Sequence, residues 1–206
     1  NISWSGWEAY STSKTYSLPA GDGTKTVYVQ FKNNAEMTSA SYADTIVLDT
    51  TPPTGSIIIN GGAGYTTSTS VTLTLSASDA VSGVYQMRFS NDNATWSTWE
   101  AYATSKPWTL IAGDGSKTVY VQFKNNAGLS SGSYSDSIVL DTTPPTGSIV
   151  INGGATYATS TSVTLTLSAS DAGSGVSQMR FSNDNATWST WEAYGTSKAW
   201  TLSAGD

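Results

Sequence analysis

Val71-Thr72-Leu73-Thr74-Leu75-Ser76-Ala77-Ser78-Asp79 alternates apolar and polar residues with a period of two. That period puts Val71, Leu73 and Leu75 on one face of an extended strand and Thr72, Thr74 and Ser76 on the other. It is the pattern of a strand with one face in a core. The stretch from Val163 to Asp171 repeats it residue for residue. Outward from this strand the same alternation returns. Met87 and Phe89 alternate with Gln86 and Arg88, and Val119, Val121 and Phe123 with Tyr120, Gln122 and Lys124. Trp108 shares a face with Leu110, and Ile138 with Leu140. Turn formers separate the runs: Asn60-Gly61-Gly62, Ser82-Gly83, Asn91-Asp92-Asn93, Gly113-Asp114-Gly115 and Asn125-Asn126-Ala127-Gly128. The spacing predicts seven strands, near 55–60, 69–77, 84–90, 96–102, 106–111, 117–124 and 134–141. Seven short strands in one such stretch suit an all-β fold of two packed sheets.

The second signal is self-similarity. Leu48-Asp49-Thr50-Thr51-Pro52-Pro53-Thr54-Gly55-Ser56 returns at Leu140–Ser148, 92 positions on, and Trp4, Trp96 and Trp188 keep the same spacing. Residues 51–114 and 143–206 differ at 8 of 64 positions. A fixed period of this length marks a tandem array. Its phasing makes 1–50 the C-terminal part of a repeat, 51–142 a complete repeat and 143–206 the N-terminal part of another. The expectation is a window on a longer array, with the true N-terminus elsewhere or processed. Read instead with genuine ends, each incomplete sandwich needs strands from a neighbouring copy, which gives a head-to-tail fibre.

Composition removes whole classes of function. Hydrophobic residues make up 38% of the 206 and charged residues only 12%, with a net charge of −6. With no basic cluster the chain offers nothing to a nucleic acid. No apolar run is long enough to insert in a membrane as a spanning helix. Cysteine and histidine are both absent, which excludes disulfides, thiolate metal sites, cysteine nucleophiles and histidine triads. Low charge, Ser/Thr richness and repetition together point to an extracellular setting.

The strand and loop at 71–79, the turn Ser90-Asn91-Asp92-Asn93-Ala94-Thr95-Trp96-Ser97, the strand Lys117–Lys124 and the Leu-Asp-Thr-Thr-Pro-Pro linker resemble tandem bacterial and archaeal Ig-like, fibronectin-III-like repeats of large surface proteins. The resemblance covers essentially the whole chain. It implies seven-stranded sandwiches in series, in proteins where such modules serve as spacers. It also implies calcium at the linkers. In a sandwich of that kind the loops after strands two and six lie beside the incoming linker, which would gather Asp49, Asp79 and Asn126. Asp141 and Asp171 are the counterparts in the next repeat. Calcium takes six to eight oxygens, so two carboxylates, an amide and backbone carbonyls would form a modest site.

Other candidates rest on the residues themselves. Asp22, Asp114 and Asp206 sit in Ala-Gly-Asp turns and read as turn formers. Paired carboxylates can do acid–base work, but these acids recur in each repeat, which suits structure better than catalysis. Trp96 and Trp99 are three apart, so a regular strand would set them on opposite faces. One could then stack on a cell-surface glycan; alternatively the pair covers a sheet edge or packs across strands. Asn93-Ala94-Thr95, Asn185-Ala186-Thr187 and Asn1-Ile2-Ser3 are acceptor patterns for N-glycosylation at equivalent places. The plain alternative is an Asn-rich turn. Taken together, the sequence predicts a structural array rather than an enzyme: an extracellular stalk or filament whose partners are neighbouring repeats or copies of itself. The alternative is a carbohydrate-binding accessory module. The short Pro-Pro linker, with two restricted φ angles, should limit bending between repeats.

Overall fold

A computed structural model describes residues 4–203. Its strands are β1 (Gly23–Val29), β2 (Tyr42–Leu48), β3 (Thr54–Ile59), β4 (Tyr65–Thr66), β5 (Ser70–Ser78), β6 (Val84–Ser90), β7 (Glu100–Ala101) and β8 (Ser105–Thr109). They continue with β9 (Gly115–Asn125), β10 (Tyr134–Leu140), β11 (Thr146–Ile151), β12 (Ser162–Ser170), β13 (Gln178–Met179), β14 (Glu192–Ala193) and β15 (Ser197–Thr201). No α-helix occurs among the described residues, and so none is long and apolar enough to cross a membrane.

Residues 54–140 form two sheets, one in the order β3-β5-β8 and one in the order β4-β10-β9-β6-β7. Neighbours are antiparallel in the β5–β8, β6–β7 and β6–β9 pairs, while β4 runs parallel to β10. The period-two reading holds along these strands. Val71, Leu73 and Leu75 are buried and the residues between them exposed; Val119, Val121 and Phe123 have no exposed surface at all. Each such side chain contributes roughly 1.5–3 kcal/mol. That is how the repeat holds together with no disulfide.

Packing divides the chain into two compact units, and these cut across the sequence period. The first comprises residues up to Ile57, Leu75–Thr104 and Tyr120–Tyr134. In it the two sheets meet at Phe123, whose ring packs edge-on against Tyr102 at 5.9 Å and tilted against Tyr134 at 6.1 Å. The Tyr102 hydroxyl accepts the Ala77 N–H at 3.0 Å, tying the loop after β7 to β5. Gly55 lies under the same ring. A Cβ there would stand 2.6 Å from the Ser76 carbonyl oxygen and closer still to the Phe123 ring. Gly55→Ala is therefore expected to cost about 1–3 kcal/mol by overpacking, measured by urea denaturation of the chain.

The second unit comprises Ile58–Thr74, Ser105–Val119 and the residues from Ser135 onward. In it Asp136 of β10 accepts the Ile59 N–H of β3 at 2.7 Å. The three-stranded sheet β11-β12-β15 repeats β3-β5-β8, and β13 pairs with β14 as β6 does with β7.

Two details differ from the strand reading. Only Glu100–Ala101 of the 96–102 stretch is strand, because the segment before it is irregular and meets β6 through Ser97, whose N–H donates to the Phe89 carbonyl at 2.8 Å. A short strand unseen in the sequence, Tyr65–Thr66, pairs along β10.

Candidate functional site

The chemistry-bearing side chains gather at the linker between repeats. The Gly21-Asp22-Gly23 turn needs both glycines at positive φ, 86° and 111°. It aims one carboxylate at the Thr-Thr pair. Asp22 Oδ1 accepts the Thr50 N–H at 2.9 Å and the Thr50 hydroxyl at 2.7 Å, and its Oδ2 accepts the Thr51 hydroxyl at 2.7 Å. The next junction copies this: Asp114 accepts the Thr142 N–H at 3.0 Å and the Thr142 and Thr143 hydroxyls at 2.8 and 2.7 Å. Turn formers in the sequence reading, Asp22 and Asp114 are in fact clasps on the linker that follows them. Asp206, the third of the set, lies outside the described residues.

A second clasp comes from the repeat that follows the linker. Asp49 is buried; its Oδ1 accepts the Thr51 N–H at 3.1 Å and its Oδ2 the Asn125 amide at 2.9 Å. That same amide nitrogen donates to Asp79 Oδ2 at 3.1 Å and to the Thr51 carbonyl at 3.2 Å. Asn125 is 1% exposed, and its own oxygen accepts the Leu129 N–H at 2.8 Å. Asp79 Oδ1 takes the Val81, Ser82 and Gly83 N–H groups, closing the loop after β5.

The calcium arrangement expected from the resemblance thus differs at its third member. Asp49 and Asp79 do come together, but Asn126 does not join them. Its amide donates to the Ser82 and Gly83 carbonyls, at 2.7 and 3.4 Å. Asn125 stands at the centre instead and presents N–H donors, not oxygen, to both carboxylates. As arranged, these residues do not fit a cation. Nor, among the described residues, does any group of three Asp, Glu, His or Cys gather to hold a metal. At the next junction Asp141 Oδ2 and Asp171 Oδ1 share the Ser174 N–H, at 2.8 and 2.9 Å.

Charge follows this bonding. The Thr50 hydroxyl, then the Thr51 hydroxyl and Thr50 N–H, hold Asp22 below the usual carboxylate range. The Thr143 and Thr142 hydroxyls do the same for Asp114. At Asp79 burial pushes upward, but the Asn125 amide and the loop N–H groups together outweigh it and the net shift is down. Asp92 and Asp184 are held low by turn N–H groups, from Ala94 first and from Thr187 first. A carboxylate with a lowered folded-state pKa adds stability above its unfolded value and loses it as pH falls through the folded one. The thermal midpoint is therefore expected to be flat from pH 7 to about pH 5 and to fall below about pH 4. Calorimetry across that range checks it.

Trp96 and Trp99 lie on one face, not two. The Arg88 guanidinium stands 5.0 Å from the Trp96 ring and 4.6 Å from the Trp99 ring, and Lys124 stands 4.0 Å from Trp99. Arg88 is fixed by Gln122, whose oxygen accepts two of its N–H groups at 2.9 and 2.6 Å. Arg180 repeats the stack on Trp188 and Trp191. The irregular backbone after β6 removes the strand parity that predicted opposite faces. A sugar stacking on the covered ring face would have to displace the guanidinium.

Asn93 and Asn185 occupy exposed turns with φ of 58° and 55°, a conformation that Asn tolerates well. Asp92 accepts the Ala94 and Thr95 N–H groups beside the first of them. Asn1 lies outside the described residues.

Sheets ordered β3-β5-β8 and β4-β10-β9-β6-β7, joined through Phe123 and Asp136, define an immunoglobulin-like β-sandwich. No protein-family model matches the chain, and no curated protein matches it in sequence. Similar solved structures include the PKD1 domain of Vibrio anguillarum Epp, at 14% identity and TM-score 0.35, covering 45% of this chain and 98% of that one. Fibronectin(III)-like modules of Clostridium thermocellum CbhA match at 14% identity and TM-score 0.37, over 59% of this chain and 64% of theirs. A tetra-tandem repeat from the extending region of a large adhesion protein matches at 14% identity and TM-score 0.32, over 88% of this chain and 48% of that one. These are likenesses of fold at low identity, so the functional reading rests on the junction.

Proposed function

We propose that the chain is a structural spacer, an array that holds successive sandwiches in fixed order in an extracellular stalk or filament. The observation that supports this is the doubly clasped linker. Thr50 and Thr51 are held from the preceding repeat by Asp22, while Asp49 and the Thr51 carbonyl are held from the following repeat by Asn125. Pro52 and Pro53 restrict the backbone between them. Hydroxyls and carboxylates dedicated to a five-residue connector have no use in a flexible tether. The chain has no cysteine, so spin labels placed at Ser135 and Thr166 are unique. A narrow distance distribution that broadens in Asp114→Ala is expected; a broad one in the unaltered chain overturns the reading. In the same setting glycans at Asn93 and Asn185 would shield a weakly charged surface. Intact-mass measurement on native material should then show Asn-linked sugar at both.

A further inference from the structure

The outer face of the β6–β9 pair carries two cations that the fold leaves without a counter-charge. Met87, Phe89, Val121 and Phe123 are buried. Strand parity therefore turns Arg88, Gln122 and Lys124 to the opposite face, where each stays half-buried. Both cations are held in place. Gln122 fixes the Arg88 guanidinium, and its own amide donates to the Ser133 hydroxyl at 3.3 Å. The Trp99 ring stands against both cations, 4.6 Å from the guanidinium and 4.0 Å from the Lys124 ammonium. Among the described residues no carboxylate pairs with Arg88 or Lys124.

The equivalent lysine of the preceding repeat does have an acid. Lys32 stands 5.3 Å from the Trp7 ring and pairs with Glu36, four residues on. Gly128 holds the place of Glu36 in the complete repeat, so Lys124 keeps a ring and has no acid. Composition does not explain this. Residues 51–142 carry four Lys and Arg against six Asp and Glu, a net charge of −2. In such a repeat a cation pair apart from every acid is the exception. Cations already fixed by an amide and an indole lose little side-chain freedom when they meet an anion.

We propose that Arg88 and Lys124, framed by Trp96 and Trp99, bind the carboxylates of an acidic glycan, a chain of hexuronate sugars. The guanidinium that keeps a neutral sugar off the covered ring face is then the group that recognises a charged one. The indoles offer apolar surface to the sugar C–H groups, and Gln122 and Ser133 lie beside the cations to meet its hydroxyls. Charge density selects this class over a nucleic acid. Duplex DNA carries a charge for roughly every 1.7 Å of its axis, which two cations on a net-negative repeat cannot match. A hexuronate chain carries a single charge per sugar. The site also recurs: Arg180 stands 4.9 Å from Trp188 and 4.6 Å from Trp191. A polymer that reaches both repeats gains avidity. This goes beyond the spacer reading and does not rest on it.

The test is titration of the 206-residue chain with oligogalacturonate, followed at the indole N–H resonances of Trp96 and Trp99. Saturable shifts are expected, with an affinity of about millimolar or tighter that weakens as salt rises. The methyl ester of the same oligomer keeps its rings and loses its charge, and should bind at least about tenfold more weakly. Arg88→Gln with Lys124→Gln should abolish the shifts. Gly128→Glu gives Lys124 the acid that Lys32 has and leaves both indoles untouched. Glu36 already adopts a φ of 66° at that place, and a Cβ on Gly128 meets nothing within 4 Å. The variant should bind at least about fivefold more weakly. Equal affinity for the ester overturns the proposal, since ring stacking alone would then account for binding. So does equal binding of hexaglutamate or of a DNA oligonucleotide, which would reduce the site to bare charge attraction. Affinity unchanged by Gly128→Glu overturns it too, as does the absence of shifts at the highest soluble oligomer concentration.

Discussion

Asn125→Leu is expected to destabilise the central repeat by about 3–5 kcal/mol, the cost of removing one partner from a buried polar set that contains charge. Leucine has the branched shape of asparagine, with two larger methyls in place of the amide oxygen and nitrogen, so no cavity is created; the loss is one of hydrogen bonding, with some crowding added. The Asn125 amide nitrogen serves Asp49 Oδ2, Asp79 Oδ2 and the Thr51 carbonyl, and its oxygen serves the Leu129 N–H. Hydrogen bonds to charged groups contribute roughly 1.5–3 kcal/mol each. With leucine, two neighbouring carboxylates would face a methyl-covered surface with their shared donor gone. Asn126→Leu is the control. The Asn126 amide bonds the Ser82 and Gly83 carbonyls at an exposed position, so its loss should cost under about 1 kcal/mol. Urea denaturation of both variants decides the matter, and equal losses would remove Asn125 from the centre of the junction.

The contrast between these neighbours also shows what the sequence holds and hides. Parity reveals the core directly, because Val119, Val121 and Phe123 can share a buried face only if the strand is regular. The same parity carries on to Asn125, the next inward position of β9. Asn125 is thus legible as a buried amide once the strand is extended by one residue past Lys124. Its partners are not legible, since Asp49 and Asp79 lie 76 and 46 residues away in the chain. The Asp22 and Asp114 clasps are hidden in the same way. A Gly-Asp-Gly turn reads as a local device, and its bonds to threonines 28 and 29 residues on depend on how the hairpin closes. Both motifs do recur at one period, and that shared spacing is the signal that could link them. Trp96 and Trp99 mislead for the opposite reason. Strand parity does not apply where the backbone is not a strand, and their common face is set by Arg88.

Asn125→Asp is expected to turn a calcium-indifferent junction into a calcium-dependent one. In the native chain the amide donates to two carboxylates and a carbonyl at 2.9, 3.1 and 3.2 Å, so it occupies the place where a cation would collect the same oxygens. Added calcium then has no unsatisfied oxygens to gather, and the unaltered chain should melt alike in millimolar calcium and in chelator. Aspartate at 125 reverses the balance. It replaces the donor with a third carboxylate, and like charges at hydrogen-bond distance in a partly desolvated place repel strongly. A loss of about 2 kcal/mol in chelator lowers the melting midpoint of a domain this size by roughly 10 °C. Calcium should restore it. Asp49 Oδ2, Asp79 Oδ2, the new carboxylate and the Thr51 carbonyl supply four or five oxygens, and water completes the six to eight that the ion takes. Magnesium, which demands a tighter octahedron and gives up its water reluctantly, should restore less. Two outcomes would sink the argument. If the variant melts alike with and without calcium, the oxygens do not converge as described. If the unaltered chain already gains stability from calcium, the Asn125 amide does not stand in for a cation.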